Sequence, residues 1–171
     1  MICLIVPAAD MEPQAMAFKQ KFYDAGEHVI CGSYKLDQDR YSYADWLNIL
    51  ECNRSKETVN PKFGVSDTFL AENEDGNLVG IINIRYDLTP FYQDSGHIGY
   101  SVVPEQRRKG YATQMLQAAL EMAKVHGLSR VKLVCQTANI ASKRTIQACG
   151  GTLCRVFEKD GICKEEYQII L

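Results

Sequence analysis

The chain has 171 residues, of which 46% are hydrophobic, and a formal net charge of −2. That length suits one domain, and that apolar fraction is enough for a real core. The near-neutral balance excludes an electrostatic case for nucleic acid as a partner. No apolar run approaches the roughly 18 residues that a membrane helix needs, so no membrane span is expected.

The first residues, Met1 to Pro7, are apolar but lack the basic segment and the small-residue cleavage site of a signal peptide. A cytoplasmic protein is therefore expected, and Cys3 to Val6 is predicted as a first strand. The seven cysteines include no Cys-x-x-Cys pair and no spacing with histidines that is typical of zinc sites. Free, buried thiols in a reducing compartment are predicted, and no metal.

The N-terminal part predicts two helices that alternate with loops. Asp10 and Ser42 are candidate N-caps, because their side chains can accept hydrogen bonds from a first helical turn. The predicted elements, in order, are a helix from 10 to about 25, a loop over 26–42, a helix from 43 to about 53, and a loop over 54–64.

The rest of the chain mixes strands with helices. Asp75-Gly76 predicts a tight hairpin turn, and Lys159-Asp160-Gly161 predicts another. These patterns favour an α/β (α+β) fold with a partly antiparallel sheet. A parallel pair of strands is expected around the helix that begins at about residue 113. The predicted elements, in order, are strands 66–72, 78–86 and 96–103, a helix from about 113 to 126, strand 131–135, helix 140–149, and strands 152–157 and 163–171.

The most informative stretch is the basic glycine loop Arg107–Ala112, which follows the apolar strand His97–Val103 and opens a helix. Unpaired N–H groups of a first helical turn and the helix dipole both favour an anion there. Gly110 lets the backbone approach an oxygen-rich group, and three consecutive cations add long-range attraction. The sequence therefore predicts a site for a phosphorylated cofactor; the alternative is a solvated basic loop.

This pattern, Arg/Gln-x-x-Gly-x-Gly/Ala after a strand, resembles the acetyl-CoA motif of the GNAT acetyltransferase superfamily. It lacks the three glycines of a dinucleotide motif and the Gly-Lys-Ser/Thr of a P-loop. Downstream come a helix, a strand, Asn139, a second helix and Gly150-Gly151, in the order of the superfamily's two central motifs. The amino-acid sequence of residues 97–112 is also similar to that of a bacterial group of predicted acetyltransferases.

The resemblance implies a GNAT-like mixed, mostly antiparallel central sheet flanked by helices, with the parallel pair at the cofactor site. It implies a single N-acetyltransferase-like domain over 1–171, in which 1–65 border the acceptor and 96–151 form the cofactor-binding core. The implied function is direct transfer of an acetyl group from acetyl-CoA to a primary amine of a small molecule or peptide.

Two alternatives stay open. One is a non-catalytic CoA-binding sensor or interaction module with the same fold. The other is an RNA-modifying or ribosome-associated acetyltransferase, which the near-neutral charge disfavours. A homodimer through the apolar last strand, from Tyr167 to Leu171, also stays open.

By resemblance, main-chain groups of Val102 and Val103 bind the pantetheine arm, and amides from Arg108 to Thr113 hold the pyrophosphate. Both valines also suit a strand core. Asn139 is expected to contact the cofactor, the alternative being a helix N-cap. Ser142 and Lys143 lie within reach of the same ligand. The predicted cofactor-binding residues are Val102, Val103, Arg107, Arg108, Lys109, Gly110, Tyr111, Ala112, Thr113, Asn139 and Ser142.

His97 is the candidate catalytic base, because a histidine pKa near 6.5 suits proton acceptance from an ammonium group. The alternative is a structural histidine at the end of a strand. Many family members have a tyrosine seven residues after the asparagine, where it acts as the acid that protonates the leaving thiolate. This chain has Ile146 at that position. The general acid is therefore open, with Tyr100 and Tyr167 as candidates. Unassigned acidic residues that could select a cationic acceptor are Asp37, Asp39, Glu51, Asp87 and Asp94.

Overall fold

The computed structural model describes residues 1–171. The strands are β1 Ile2–Ile5, β2 Ser66–Asn73, β3 Leu78–Arg85, β4 Ile98–Val102, β5 Arg130–Gln136, β6 Thr152–Lys159 and β7 Ile162–Ile170. The helices are α1 Glu12–Asp24, α2 Tyr43–Asn53, α3 Tyr111–Val125 and α4 Ile140–Ala148. All four helices and seven strands lie within a few residues of the predicted elements.

The first sheet has four strands in the order β1-β2-β3-β4, and neighbouring strands are antiparallel. The predicted β2–β3 turn is confirmed. The side-chain oxygen of Asn73 accepts hydrogen bonds from the backbone N–H groups of Asp75 and Asn77. Gly76 takes a φ of 76°, a left-handed conformation that suits glycine.

The second sheet has three strands in the order β5-β7-β6, again antiparallel. The mixed fold with mostly antiparallel strands flanked by helices is confirmed, but as two sheets. The predicted parallel pair is not found among the ladders. The two sheets meet at an isolated bridge between Gly96 and Leu133, and no ladder continues from it along β4 and β5.

Two apolar clusters cover the two faces of the first sheet. One joins it to α3 and to the second sheet, and Met115, Leu116 and Ala119 of α3 are fully buried in it. The other packs Phe18 of α1 and Trp46 of α2 against the opposite face. Successive strand residues point to opposite faces, which is why both faces carry buried aliphatic side chains.

The two predicted N-caps have different outcomes. Ser42 caps α2, and its side chain exchanges hydrogen bonds with Asp45 in a capping box. The Asp10 cap is wrong, because residues 9–11 form a 3-10 turn and α1 begins at Glu12 with Met11 at the N-cap. The indole N–H of Trp46 donates to the carbonyls of Ser33 and Tyr34, which fastens the α1–α2 loop to α2.

None of the helices combines the length and the apolar character needed to cross a bilayer. All seven cysteines are free thiols, but the expectation that they are buried is wrong for most of them. Cys135 is buried and Cys149 is half-buried, whereas the other five are exposed. No group of His, Cys, Asp or Glu side chains is arranged to hold a metal ion.

Candidate active site

The backbone of the basic glycine loop forms a cradle of free N–H groups. Arg108 and Gly110 both have left-handed backbones, with φ of 63° and 80°. Gly110 is the N-cap of α3, and no side chain caps the helix. The N–H groups from Arg108 to Thr113 donate no hydrogen bond within the protein. Such turns make anion-binding concavities, so this segment fits a pyrophosphate.

The three cations of the loop have different partners. Arg107 donates two hydrogen bonds to the Glu27 carboxylate, at 2.7 and 2.6 Å, and a third from Nε to the Val102 carbonyl at 3.1 Å. Lys109 donates to the Gln106 side chain. Arg108 alone has no side-chain partner and is free to meet an anion. Arg107 therefore fastens the loop and is not among the groups facing the anion cradle.

One edge of β4 has no paired strand, because β4 and β5 are joined near the Gly96–Leu133 bridge without forming a ladder; the space beyond this bridge is called the cleft below. Two hydrogen bonds show which main-chain groups of β4 point toward β3. The Arg85 N–H donates to the His97 carbonyl, and the Val103 N–H donates to the Val79 carbonyl. By antiparallel alternation, the main-chain groups of Tyr100 and Val102 face the other way. No strand pairs with that edge.

The two valines predicted to bind pantetheine therefore differ. Val103 is fully buried, its N–H is bonded to Val79, and its carbonyl accepts from the Gln106 N–H at 2.9 Å. It has no free main-chain group to offer, so its predicted role is not supported. The Val102 carbonyl accepts from Arg107, but the Val102 N–H points to the cleft and has no partner.

Asn139 is the N-cap of α4, because its side-chain oxygen accepts from the Ser142 N–H at 3.0 Å. The capping alternative is thus confirmed, and it leaves the Asn139 amide N–H₂ group without a protein acceptor. Ser142 Oγ lies 3.1 Å from the Tyr100 hydroxyl of β4. Lys143 is paired with Glu165 at 2.8 Å and is not free to reach a phosphate.

Tyr100 is the only one of the two candidate tyrosines with a route to the cleft. Its strand faces the cleft, and burial raises the pKa of its hydroxyl to about 12. Tyr167 is buried, and its hydroxyl is bonded to Glu165. Ile146 is fully buried in the core, so α4 offers no hydroxyl at that position.

His97 is tied to β5 by its ring. Its Nδ1 accepts a hydrogen bond from the Lys132 N–H at 2.9 Å, so the neutral ring carries its proton on Nε2. Burial lowers the pKa of His97 below its ordinary value. Proton uptake would occur at Nδ1 and would break the Lys132 bond. This geometry opposes the predicted base role and supports the structural alternative.

Sequence reasoning missed Arg85, which is the last residue of β3. Its guanidinium stacks over the Tyr92 ring, 4.1 Å from the centroid, and Nη1 donates to the Gly96 carbonyl. Nε is buried without an acceptor. A cation that ends the otherwise apolar run Leu78–Ile84 was the available signal.

The acidic residues that could have selected a cationic acceptor already have partners. Asp37 accepts from the Ile30 N–H and the Ser33 hydroxyl. The other contacts are Asp39 with Lys19, Glu51 with Arg54, Asp87 with the Val65 N–H, and Asp94 with Arg155 and Lys159.

Comparison with known proteins identifies the family of this chain. A family model described as acetyltransferase (GNAT) family matches residues 30–150. The chain therefore belongs to the GNAT acetyltransferase family, as its motif predicts. A search of curated protein sequences finds no match.

Solved structures of similar fold cover nearly the whole chain. The microcin self-immunity acetyltransferase MccE, in complex with acetyl-CoA and AMP, has a TM-score of 0.72 and 17% identity, over 99% of this chain and 92% of that one. The ribosomal-protein alpha-N-acetyltransferase RimL, in complex with coenzyme A, has a TM-score of 0.71 and 18% identity, over 99% and 94%. Mutant forms of the spermidine/spermine N-acetyltransferase SpeG from Vibrio cholerae have a TM-score of 0.65 and 15% identity, over 99% and 93%.

Proposed function

We propose that this protein is an N-acetyltransferase that moves the acetyl group of acetyl-CoA directly to a primary amine of a small molecule or peptide. The observation that carries this proposal is the run of free N–H groups from Arg108 to Thr113 beside the unpaired edge of β4. Membership of the GNAT family and the acetyl-CoA and CoA complexes of MccE and RimL support it.

The residues present fit acetyl-CoA. The pyrophosphate is assigned to the amides of Arg108–Thr113, with Arg108 as the free cation nearby. The pantetheine arm is assigned to the β4 edge, where the Val102 N–H and the main chain of Tyr100 are unpaired. The free Asn139 amide and Ser142, both at the start of α4, are assigned to the same arm. Bound acetyl-CoA supplies the activated acetyl group as a thioester.

In the proposed reaction a bond forms between the amine nitrogen and the acetyl carbon while the carbon–sulfur bond breaks, and the amine proton leaves to solvent or a base. Holding both reactants in one cleft makes the step nearly intramolecular. The Tyr100 hydroxyl is proposed to donate a hydrogen bond to the leaving sulfur. Because its pKa, about 12, exceeds that of an ordinary thiol, the proton stays on the tyrosine.

The proposed division of the single domain places the acceptor beside residues 1–65 and the cofactor on residues 96–151. Its support is the contact of the α1–α2 loop with β4. A Cβ on Gly32 would collide with the Gly99 carbonyl oxygen, so the loop rests directly on the strand. Gly32 also has a φ of 84°, which suits glycine. A cytoplasmic location and a homodimer remain proposals.

The test is to measure acetyl-CoA binding by calorimetry and then add a panel of amines while following release of free thiol. Binding followed by thiol release with one class of amine supports the enzyme. Binding without release from any amine supports the CoA-binding sensor, which the absent α4 tyrosine motivates. No binding of acetyl-CoA contradicts both.

A further inference from the structure

Arg85 is a cation for which the protein supplies no counter-charge. It makes no ion pair with any carboxylate, and its internal hydrogen bond is the one from Nη1 to the Gly96 carbonyl. Nε is sealed from solvent without an acceptor. Nη2 is not among the sealed atoms, and the side-chain group within hydrogen-bonding range of the guanidinium is the neutral Tyr92 hydroxyl. A half-buried guanidinium in this state is costly unless something pairs with it.

The surroundings of Arg85 add positive charge and no free carboxylate. Lys35 lies over the rings of Tyr34, Tyr41 and Phe63, at 5.3 to 5.7 Å from their centroids, and Lys62 lies 4.7 Å from the Phe91 centroid. Neither lysine is in an ion pair. The nearby carboxylates of Asp37 and Asp87 accept hydrogen bonds from neutral groups of the protein, so an anion entering here meets three cations that are in no ion pair.

A groove beside this cluster has room for a small molecule. It has a volume of about 310 Å³, and Tyr34 and Asn53 line it. Asn53 is only 5% exposed, and its side-chain N–H₂ group has no acceptor. Tyr34 has Tyr92, Asn53 and Arg85 as polar neighbours. The groove thus combines apolar walls with a few polar side chains, which is the composition of a ligand site.

The position of Arg85 relates this cluster to the proposed transfer site. Its Nη2 lies 3.9 Å from the point that a Cβ on Gly99 would occupy. Gly99 directly precedes Tyr100, whose main chain lies on the free edge of β4. An anion held by Arg85 would therefore lie against the strand assigned to the thioester arm of acetyl-CoA.

We propose that Arg85 binds an oxyanion of the acceptor, so that the acceptor is a primary amine that also carries a carboxylate or a phosphonate. The N–H groups of Nη2, the open end of the guanidinium, suit either group, because both present charged oxygens that accept strong hydrogen bonds from an arginine. This inference rests on the proposed N-acetyltransferase function and adds the class of acceptor.

The first experiment uses the unaltered protein and matched amines: amino acids, their amides, and aminoalkylphosphonates of similar length. Thiol release is followed at saturating acetyl-CoA. We expect kcat/KM for the acids to exceed that for the amides by about 10- to 100-fold, the contribution of a charge-assisted hydrogen-bonded pair. The ratio of carboxylate to phosphonate rates identifies which oxyanion is preferred.

The second experiment compares Arg85→Gln with Arg130→Gln, which removes an exposed arginine without a partner. We expect Arg85→Gln to lower kcat/KM for the acid by about 10- to 100-fold and to leave the amide within about twofold. Acetyl-CoA affinity should not change. Arg130→Gln should leave both substrates unaffected. Equal losses for acid and amide would show that Arg85 is only structural and would overturn the inference.

A third measurement does not depend on a folded variant. An N-blocked amino acid carries the carboxylate but cannot be acetylated, and we expect it to compete with the acidic amine, whereas its amide does not. Equal inhibition by both, or equal rates with acids and amides, would overturn the acceptor class and leave the N-acetyltransferase intact. Transfer to no amine at all would remove the proposed function, and this inference with it.

Discussion

His97 and Lys132 are joined by two hydrogen bonds: the His97 N–H donates to the Lys132 carbonyl at 2.8 Å, and the Lys132 N–H donates to His97 Nδ1 at 2.9 Å. They link the first sheet to the second at the closed end of the cleft. Beyond this point β4 and β5 share no ladder. The histidine side chain thus replaces a strand bond where the two sheets begin to separate.

The role of His97 can be decided with two substitutions. His97→Asn keeps an acceptor near Nδ1 for the Lys132 N–H but cannot titrate, whereas His97→Ala loses both properties. We expect His97→Asn to retain most of the turnover and His97→Ala to lose stability. A base role would instead lower the turnover of both variants by about 100-fold or more and change the pH–rate profile.

The hydrogen bond from the Lys132 N–H to the buried His97 ring predicts that folding stability depends on pH. Burial lowers the pKa of His97 in the folded protein, so the unfolded chain binds the proton at a higher pH than the folded chain does. The contribution of the neutral His97 ring to the free energy of unfolding is fully present above about pH 6.5. It decreases as the pH falls towards the pKa of His97 in the folded protein. Urea titrations should show a smaller loss below pH 6.5 for His97→Asn than for the natural protein.

Gly110 should matter for cofactor binding more than for folding. Gly110→Ala places a Cβ on a residue with a φ of 80°, which costs about 1–2 kcal/mol of folding stability. Gly127→Ala is the matched control, because Gly127 has a φ of 84° and follows the other end of α3. We expect similar losses in Tm, but weaker acetyl-CoA binding only for Gly110→Ala. Gly110→Glu should abolish binding, and normal affinity in that variant would contradict the cradle assignment.

The Arg107–Glu27 pair should affect the loop and hardly affect global stability. Both side chains are partly exposed, at 45% and 37%, so removing the pair costs little folding free energy. We expect Glu27→Gln to leave Tm nearly unchanged and to raise the Kd for acetyl-CoA about 3- to 10-fold, because the cradle is less well ordered. Glu121→Gln, which removes the same charge from an exposed carboxylate of α3 without a partner, is the charge control. An unchanged Kd in Glu27→Gln would show that the loop keeps its shape without the pair.

Tyr100→Phe tests the proposed hydrogen bond to the leaving sulfur. We expect kcat to fall about tenfold or more while the Kd for acetyl-CoA stays within about twofold, because the donor acts as negative charge develops. Tyr86→Phe removes another tyrosine hydroxyl that is bonded to Asp67 at 2.8 Å. It should lower stability and not kcat. Equal kcat values for the natural protein and Tyr100→Phe would exclude the role.

Short-range signals allowed much of this fold to be predicted from the sequence. Ser42, Asp75-Gly76 and Gly110 each act on their own neighbours, so the cap, the turn and the helix start were visible locally. The partners of Arg107, His97 and Arg85 were not. Glu27 is 80 residues from Arg107 in the chain, and His97 is 35 residues from Lys132. Side-chain roles that depend on such distant contacts can be seen only in the folded structure. The cofactor-binding roles predicted for Arg107 and Val103, and the base role predicted for His97, therefore did not take these contacts into account.

The unpaired edge of β4 also bears on how the protein avoids self-association. An exposed strand edge normally recruits a strand from another chain and begins aggregation. Here the open main-chain groups of Tyr100 and the open Val102 N–H face the second sheet, inside the molecule. A strand from another chain would have to fit between β4 and β5 to reach this edge, whereas a thin, extended ligand arm needs less room. The protein thus keeps an edge that is available for pairing with a cofactor and shielded from other proteins.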